Sequence, residues 1–142
     1  MSNIIYYADE NADELHLFEE AAASVNSKIL TFESGEELTN AIENPPPQPR
    51  MVFVDLDEAR DGFKAVREIR AMNDFDVPIV IVSENSNNKI IQKYNDLGAN
   101  LYIQKCKSAL KLKKAVNYAL RVNWGVFKTS SKNFFYNSFL TR

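Results

Sequence analysis

The sequence is poor in the residues that build disulfides and transition-metal centres. It contains one cysteine, Cys106, and one histidine, His16. A single cysteine excludes an internal disulfide and any metal site made of several cysteines, and a single histidine excludes a histidine-rich site. We therefore expect a soluble protein from a reducing compartment, and we predict a cytoplasmic location.

Long apolar runs and an excess of positive charge are also missing. No apolar run approaches the roughly 18 residues that a membrane-spanning helix requires. Residues 1–8 lack the basic start and the apolar stretch of a signal peptide. The 17 basic and 19 acidic residues give a net charge of −2, which argues against a nucleic-acid-binding protein that relies on bulk positive charge. We expect neither a membrane nor a nucleic acid among the partners.

The overall composition is typical of one globular domain with a tail. The 142 residues are 45% hydrophobic and 25% charged, close to the average for folded domains. Residues 1–122 hold all of the acidic residues and have a net charge of −5, whereas residues 123–142 have a net charge of +3 and six aromatic residues. We predict a domain over 1–122 and an aromatic, basic C-terminal extension over 123–142. So many aromatic side chains favour packing of the extension on the surface of the domain.

Short apolar runs alternate with helical patterns along the domain. The runs typical of buried strands are Ile4–Ala8, Lys28–Phe32, Met51–Val54, Ile79–Val82 and Leu101–Ile103. The patterns typical of helices are Ala12–Val25, Gly35–Glu43, Phe63–Met72, Lys89–Leu97 and Ser108–Val122. This alternation predicts an α/β fold in which a doubly wound parallel sheet lies between two layers of helices.

Polar side chains stand where these strands end. Asp9 and Glu10 end the first strand, Asp55 ends the third, Ser83 ends the fourth and Lys105 follows the fifth. In doubly wound sheets, ligands bind outside the carboxyl ends of the strands. If the strand order is 2-1-3-4-5, these side chains converge on one pocket.

The chemistry of such a pocket is restricted by its charges. Crowded carboxylates repel one another unless a cation compensates them, and Mg²⁺ is a hard cation that takes carboxylate and phosphate oxygens. A carboxylate can also act as the nucleophile that accepts a phosphoryl group. Lys105 and Ser83 would then hold the remaining phosphoryl oxygens. The residues together favour transfer of a phosphoryl group to Asp55 with Mg²⁺ as the cofactor.

Over about residues 3–122 the sequence resembles the receiver domain of two-component response regulators. The segments that carry the resemblance are Asp9-Glu10, Val54-Asp55-Leu56, Asp61-Gly62, Val80-Ile81-Val82-Ser83, Gly98-Ala99-Asn100, Tyr102 and Lys105. The resemblance implies a flavodoxin-like fold, which is a three-layer sandwich around a five-stranded parallel sheet of order 2-1-3-4-5.

The resemblance also implies a role for each residue of the pocket. Asp55 matches the phosphoacceptor, Ser83 the hydroxyl residue and Lys105 the lysine of the family. Asp9 and Glu10 match its acidic pair, with Glu10 at the metal-contacting position.

Three further positions complete the set of residues carried over from the family. Asp57 would offer its backbone carbonyl to Mg²⁺. Tyr102 matches the aromatic switch residue, which acts with Ser83. Asp57 and Asn85 match the variable positions that tune the lifetime of the phosphoryl group.

The sequence departs from the family pattern at three places. Glu10 stands where an aspartate is usual. The loop from Asp55 to Gly62 is one residue shorter than usual and lacks the usual Met-Pro. Cys106 replaces a proline that follows the lysine through a cis bond in the family. We predict a trans Lys105–Cys106 bond, because a cis bond before a residue other than proline costs about 2.5–4 kcal/mol.

These observations favour a stand-alone, single-domain response regulator. It would accept the phosphoryl group from a phosphohistidine on a sensor histidine kinase or a histidine phosphotransfer protein. Its output would be contact with a downstream protein, on the face formed by the fourth helix, the fifth strand and the fifth helix. We expect a signalling protein with only weak autophosphorylation and autodephosphorylation, and not a metabolic enzyme. The alternative is a pseudo-receiver, an interaction module that acts independently of phosphorylation.

Overall fold

Strands and helices alternate along the chain as the apolar pattern predicts. The computed structural model describes residues 3–44, 48–72, 75–124 and 134–137. The strands are β1 (Ile4–Asp9), β2 (Lys28–Phe32), β3 (Met51–Asp55), β4 (Ile79–Ser83), β5 (Leu101–Gln104) and β6 (Phe135–Asn137). The helices are α1 (Leu15–Ala23), α2 (Gly35–Glu43), α3 (Ala59–Ala71), α4 (Asn88–Leu97) and α5 (Ala109–Arg121).

All of these strands run parallel in one sheet of order β2-β1-β3-β4-β5-β6. The first five strands have the predicted order 2-1-3-4-5, and the flavodoxin-like fold is confirmed. The sixth strand was not predicted, because it is only three residues long and the apolar run over 134–136 is shorter than the runs that indicate strands. It covers the edge of β5 that a five-stranded sheet would leave open.

Helices cover both faces of the sheet and bury one core on each side. On one face, Phe18 of α1 and Leu112 of α5 pack against side chains of the central strands. On the other, Leu38 of α2, Val66 of α3 and Tyr94 of α4 form the second core. This arrangement is the predicted three-layer sandwich. None of the helices in the part of the chain that the structure describes is long and apolar enough to cross a membrane.

Local signals set the ends of several helices. The side chain of Ser34 accepts a hydrogen bond from the backbone N–H of Glu37 at 3.1 Å and caps α2, which is a role that serine favours. Gly98 ends α4 in the left-handed conformation with φ of 106°, which suits glycine. Ala12 also has a positive φ, 56°, so α1 begins at Leu15 and not at Ala12 as the periodicity predicts.

The described part of the C-terminal extension packs on the domain, as predicted. The indole N–H of Trp124 donates to the carbonyl of Ala119 at 3.1 Å, and Phe134 is only 2% exposed. Phe127 and Phe139, which also contribute to the aromatic character of the extension, lie outside the described residues. The domain limit at residue 122 stays a prediction, to which the structure adds that the extension supplies a strand of the sheet.

Candidate functional site

Two buried aspartates lie side by side at the carboxyl edge of the sheet. β1 and β3 are adjacent parallel strands, and their register pairs Asp9 with Asp55. Both side chains lie at strand ends among buried neighbours, so Asp9 is 7% exposed and Asp55 is 5% exposed. Buried carboxylates are costly unless they are paired or hydrogen-bonded. The partners of these two groups therefore define the site.

Lys105 supplies the positive charge. It follows β5, and its Nζ donates to Oδ2 of Asp55 at 2.8 Å and to Oε1 of Glu14 at 2.9 Å. The Lys105 side chain is 15% exposed, so both contacts are made largely out of water. No peptide bond of the described residues is cis, so the Lys105–Cys106 bond is trans as predicted.

Asp9 is held by two hydrogen bonds that fix its carboxylate. The hydroxyl of Tyr7 donates to Oδ2, and the backbone N–H of Asn11 donates to Oδ1 at 3.2 Å. The ring of Tyr7 stacks on Phe18 of α1 with centroids 4.2 Å apart, which fixes the hydroxyl in turn. Asp9 therefore has little freedom to rotate.

The pKa values of the site reflect two opposing effects, the burial of the carboxylates and the charge of a single cation, Lys105. Burial raises the pKa of Asp55 to about 7, against the opposing effect of Lys105 and with the help of the nearby Asp9 and Glu14 carboxylates. Burial lowers the pKa of Lys105, but the contacts with Asp55 and Glu14 prevail and shift it upward. Burial, followed by the hydrogen bond to Asp9, raises the pKa of the Tyr7 hydroxyl. The site thus carries more negative than positive charge.

This donor set fits a hard divalent cation. One carboxylate oxygen each from Asp9, Glu14 and Asp55 lie within 4.8 Å of one another. Oxygen ligands and incompletely compensated negative charge are what Mg²⁺ requires. Glu10, the predicted metal-contacting residue, is exposed, and its Oε1 accepts the backbone N–H of Asp57 at 2.9 Å. The structure therefore brings Glu14, and not Glu10, into the carboxylate cluster.

Ser83 lies at the same edge, beside the open cavity. Its Oγ accepts the backbone N–H of Asn85 at 3.1 Å, while Oδ1 of Asn85 accepts the N–H of Asn87 at 2.8 Å. The cavity, of about 620 Å³, is lined by Asp55, Ser83 and Lys105 among others. The space beside Asp55 is thus open and bordered by a hydroxyl and an ammonium group.

Tyr102 is fully buried behind this edge. Its hydroxyl donates to the carbonyl of Asn85 at 2.6 Å, and its ring lies 5.8 Å from that of Tyr94 and 6.5 Å from that of Phe134. The predicted switch residue therefore connects the loop after Ser83 to the C-terminal strand.

Two residues of the site, Glu14 and Tyr7, are not among those predicted from the sequence. Glu14 stands just before α1, in a stretch of exposed acids that gives no sign that one of them contacts Lys105. Tyr7 stands two residues before Asp9, and residues two apart on a strand lie on the same face. That spacing is the signal that could have identified Tyr7.

The sequence comparison gives one family. The sequence model of the response regulator receiver domain matches residues 5–117. No curated protein sequence matches the chain.

Crystal structures of response regulators share the fold. The phosphorylated cyanobacterial phytochrome response regulator RcpA is 23% identical, with a TM-score of 0.77 over 92% of this chain and 100% of its own. The Mn²⁺-bound response regulator Rcp1 is 17% identical, with a TM-score of 0.76 over 91% of this chain and 99% of its own. A receiver domain from Rhodospirillum rubrum is 22% identical, with a TM-score of 0.71 over 89% of this chain and 96% of its own.

Proposed function

Because the chain belongs to the response regulator receiver family, whose members serve two-component signalling, we propose that Asp55 accepts a phosphoryl group from a phosphohistidine. The observation that carries the proposal is the buried Asp55 carboxylate with the Lys105 ammonium 2.8 Å away, next to an open cavity. The donor would be a sensor histidine kinase or a histidine phosphotransfer protein. The family match and the similar structures do not favour the pseudo-receiver alternative.

Each residue of the pocket would have a separate role in the phosphoryl transfer. An Asp55 carboxylate oxygen forms the bond to phosphorus while the bond from phosphorus to the imidazole nitrogen of the donor breaks, and the imidazole leaves. Lys105 offers its ammonium to a phosphoryl oxygen, and the Ser83 hydroxyl offers a second hydrogen bond. Both groups then stabilise charge on the transferred group at the open side of the pocket.

Mg²⁺ is the proposed cofactor. Bound Mg²⁺ would neutralise charge on the phosphoryl oxygens. The proposed ligands are the carboxylates of Asp9 and Asp55 and the backbone carbonyl of Asp57, with Glu10, which lies outside the carboxylate cluster, contacting the ion through water. The Mn²⁺-bound crystal form of Rcp1 supports a divalent cation in a protein of this fold. The bond between Glu10 and the Asp57 N–H keeps the Glu10 carboxylate beside the Asp57 backbone.

The proposed output is contact with a downstream protein on the face of α4, β5 and α5. A phosphoryl group adds roughly two negative charges and strong acceptor oxygens. Ser83 would move toward it, and the loop through Asn85 would transmit the movement to the Tyr102 hydroxyl, which bonds the Asn85 carbonyl. The neighbouring positions Asp57 and Asn85 would tune how long the phosphoryl group survives.

An NMR titration with the phosphoryl mimic beryllofluoride tests this proposal. In the presence of Mg²⁺ we expect backbone shifts at Asp55, Ser83, Tyr102 and Lys105, and none when Mg²⁺ is replaced by EDTA. The Asp55→Asn variant should not respond, whereas Asp96→Asn, on the exposed surface of α4, should respond like the wild type. Shifts confined to β1 and β3 would refute the switch, and no binding at all would refute the function.

A further inference from the structure

Lys105 forms ion pairs with two carboxylates at once. Its Nζ lies 2.8 Å from Oδ2 of Asp55 and 2.9 Å from Oε1 of Glu14, so two of its three N–H donors are used by anions. The proposed function needs the same ammonium to hold a phosphoryl oxygen on Asp55. Glu14 and the phosphoryl group would therefore compete for one cation.

We propose that Glu14 is an internal anion that occupies Lys105 until a phosphoryl group on Asp55 displaces it, and that it thereby slows phosphorylation. This inference rests on the proposed function of Asp55. It gives Glu14 a positioning role, because Glu14 acts through Lys105 and not on the phosphorus atom.

Glu14 is the member of the cluster that can move. Its side chain is 28% exposed, so its carboxylate can turn toward water at small cost. Asp9 is buried and both of its oxygens accept hydrogen bonds, so it stays in place. A phosphoryl group brings roughly two negative charges into the cavity and repels the nearby carboxylates. We expect the Glu14 carboxylate, which can move, to be the one that leaves Lys105.

The position of Glu14 in the chain allows it to be substituted without loss of the fold. It precedes α1, but its side chain makes no capping hydrogen bond to that helix. Replacement of Glu14 by glutamine keeps its length and removes only its charge. Glu19→Gln is a matched control, because Glu19 is an exposed acid further along α1.

The experiment measures the rate of Asp55 phosphorylation by acetyl phosphate at saturating Mg²⁺, together with the affinities for beryllofluoride and for Mg²⁺ alone. In Glu14→Gln we expect phosphorylation to be about three- to tenfold faster and beryllofluoride binding to be tighter by a similar factor, since a partly buried ion pair is removed from Lys105. Glu19→Gln should behave like the wild type. In a Lys105→Met background, Glu14→Gln should give a smaller acceleration than it gives in the wild type.

The outcomes separate the inference from the function on which it rests. An unchanged or slower rate in Glu14→Gln, with a phosphorylated wild type, overturns the inference alone. A fall in Mg²⁺ affinity of more than about tenfold identifies Glu14 as a metal ligand and also overturns it. If Glu14→Gln accelerates phosphorylation as much in the Lys105→Met background as in the wild type, Glu14 does not act through Lys105 and the inference is overturned. Failure of both the wild type and Glu14→Gln to accept a phosphoryl group overturns the proposed function together with the inference.

Discussion

The Asp55 carboxylate experiences opposing influences from its surroundings. Burial disfavours its charged form, while the ammonium of Lys105 at 2.8 Å favours it. Burial prevails, which leaves Asp55 with a pKa of about 7 in the folded protein, against 3.8 for an unperturbed aspartate. The Asp55 carboxylate is therefore retained at a cost in folding stability, and the size of this cost depends on pH.

We predict that the Asp55→Asn variant gains stability over the wild type as the pH rises. Between pH 3.8 and about 7 the folded wild type retains a proton on Asp55 that the unfolded chain releases. The folded state binds more protons in this window, so its free energy of unfolding falls as the pH rises. The free energy of unfolding of the variant minus that of the wild type should increase by about 2–4 kcal/mol from about pH 4 to about pH 8.

Urea unfolding in metal-free buffer measures this difference at each pH. Asp96→Asn, which removes an exposed carboxylate of α4, should show no such trend. A difference for Asp55→Asn that stays constant or decreases with pH would contradict the raised pKa.

We predict that Tyr7→Phe weakens Mg²⁺ binding by about tenfold, because hydrogen bonds that orient a metal-ligating carboxylate commonly contribute 10- to 100-fold in affinity. The change removes the hydroxyl that donates to Asp9 and leaves the stacking ring on Phe18. Tyr6→Phe is the matched control, since Tyr6 is a buried tyrosine of the same strand that packs in the core on the other face. Isothermal titration with Mg²⁺ compares the two. Equal affinities would show that the Tyr7 hydroxyl does not position Asp9.

Side chains at the ends of strands are predictable from the sequence, because the carboxyl ends of parallel strands share one edge. Asp9, Asp55 and Lys105 meet for that reason. Glu14 is not predictable in this way, because its contact depends on where the loop before α1 lies. The left-handed conformation of Ala12, φ 56°, belongs to that loop and has no signature in the side chain.

The C-terminal strand β6 completes the sheet at the scale of elements. The backbone N–H of Tyr102 donates to the carbonyl of Phe134 at 2.8 Å, and the pairing continues through Ile103 and Tyr136. Phe134 is buried, whereas Phe135 is 38% exposed. The strand thus fixes one side of Tyr102 through both backbone and side-chain contacts.

We predict that Phe134→Ala destabilises the fold by about 3–4 kcal/mol, the usual cost of truncating a buried phenylalanine. Phe135→Ala, one residue on and partly exposed, should cost much less. Thermal unfolding gives the two values. The NMR signals of the Tyr102 ring should change in both variants, because this ring lies 6.5 Å from that of Phe134 and 6.1 Å from that of Phe135. The loss of stability therefore distinguishes the two variants. Equal losses of stability in the two variants would mean that β6 is not anchored by Phe134.

Most elements of the fold are predictable because each carries its own signal. The cap at Ser34 and the left-handed glycine at Gly98 mark helix ends, and the apolar runs mark strands. The apolar run at β6 is too short to be such a signal, and three residues paired at a sheet edge gain their stability from the neighbour β5. Its existence is a property of tertiary packing.

At the scale of the whole molecule, the order of the sheet positions every proposed reacting group. The order β2-β1-β3-β4-β5 makes β1 and β3 neighbours and places β4 and β5 beside them, so residues far apart in sequence reach one pocket. The family resemblance implied this order, and the parallel pairing confirms it. The candidate site therefore lies at this one edge of the sheet.

The most direct test of the account is the intact mass of the chain after incubation with acetyl phosphate. With Mg²⁺ we predict the addition of one phosphoryl group to the wild type, none in EDTA and none in Asp55→Asn. Asp96→Asn, with an exposed aspartate replaced, should be labelled like the wild type. Labelling of Asp55→Asn to the level of the wild type, or no labelling of the wild type with Mg²⁺, would contradict the claim that Asp55 is the phosphoacceptor.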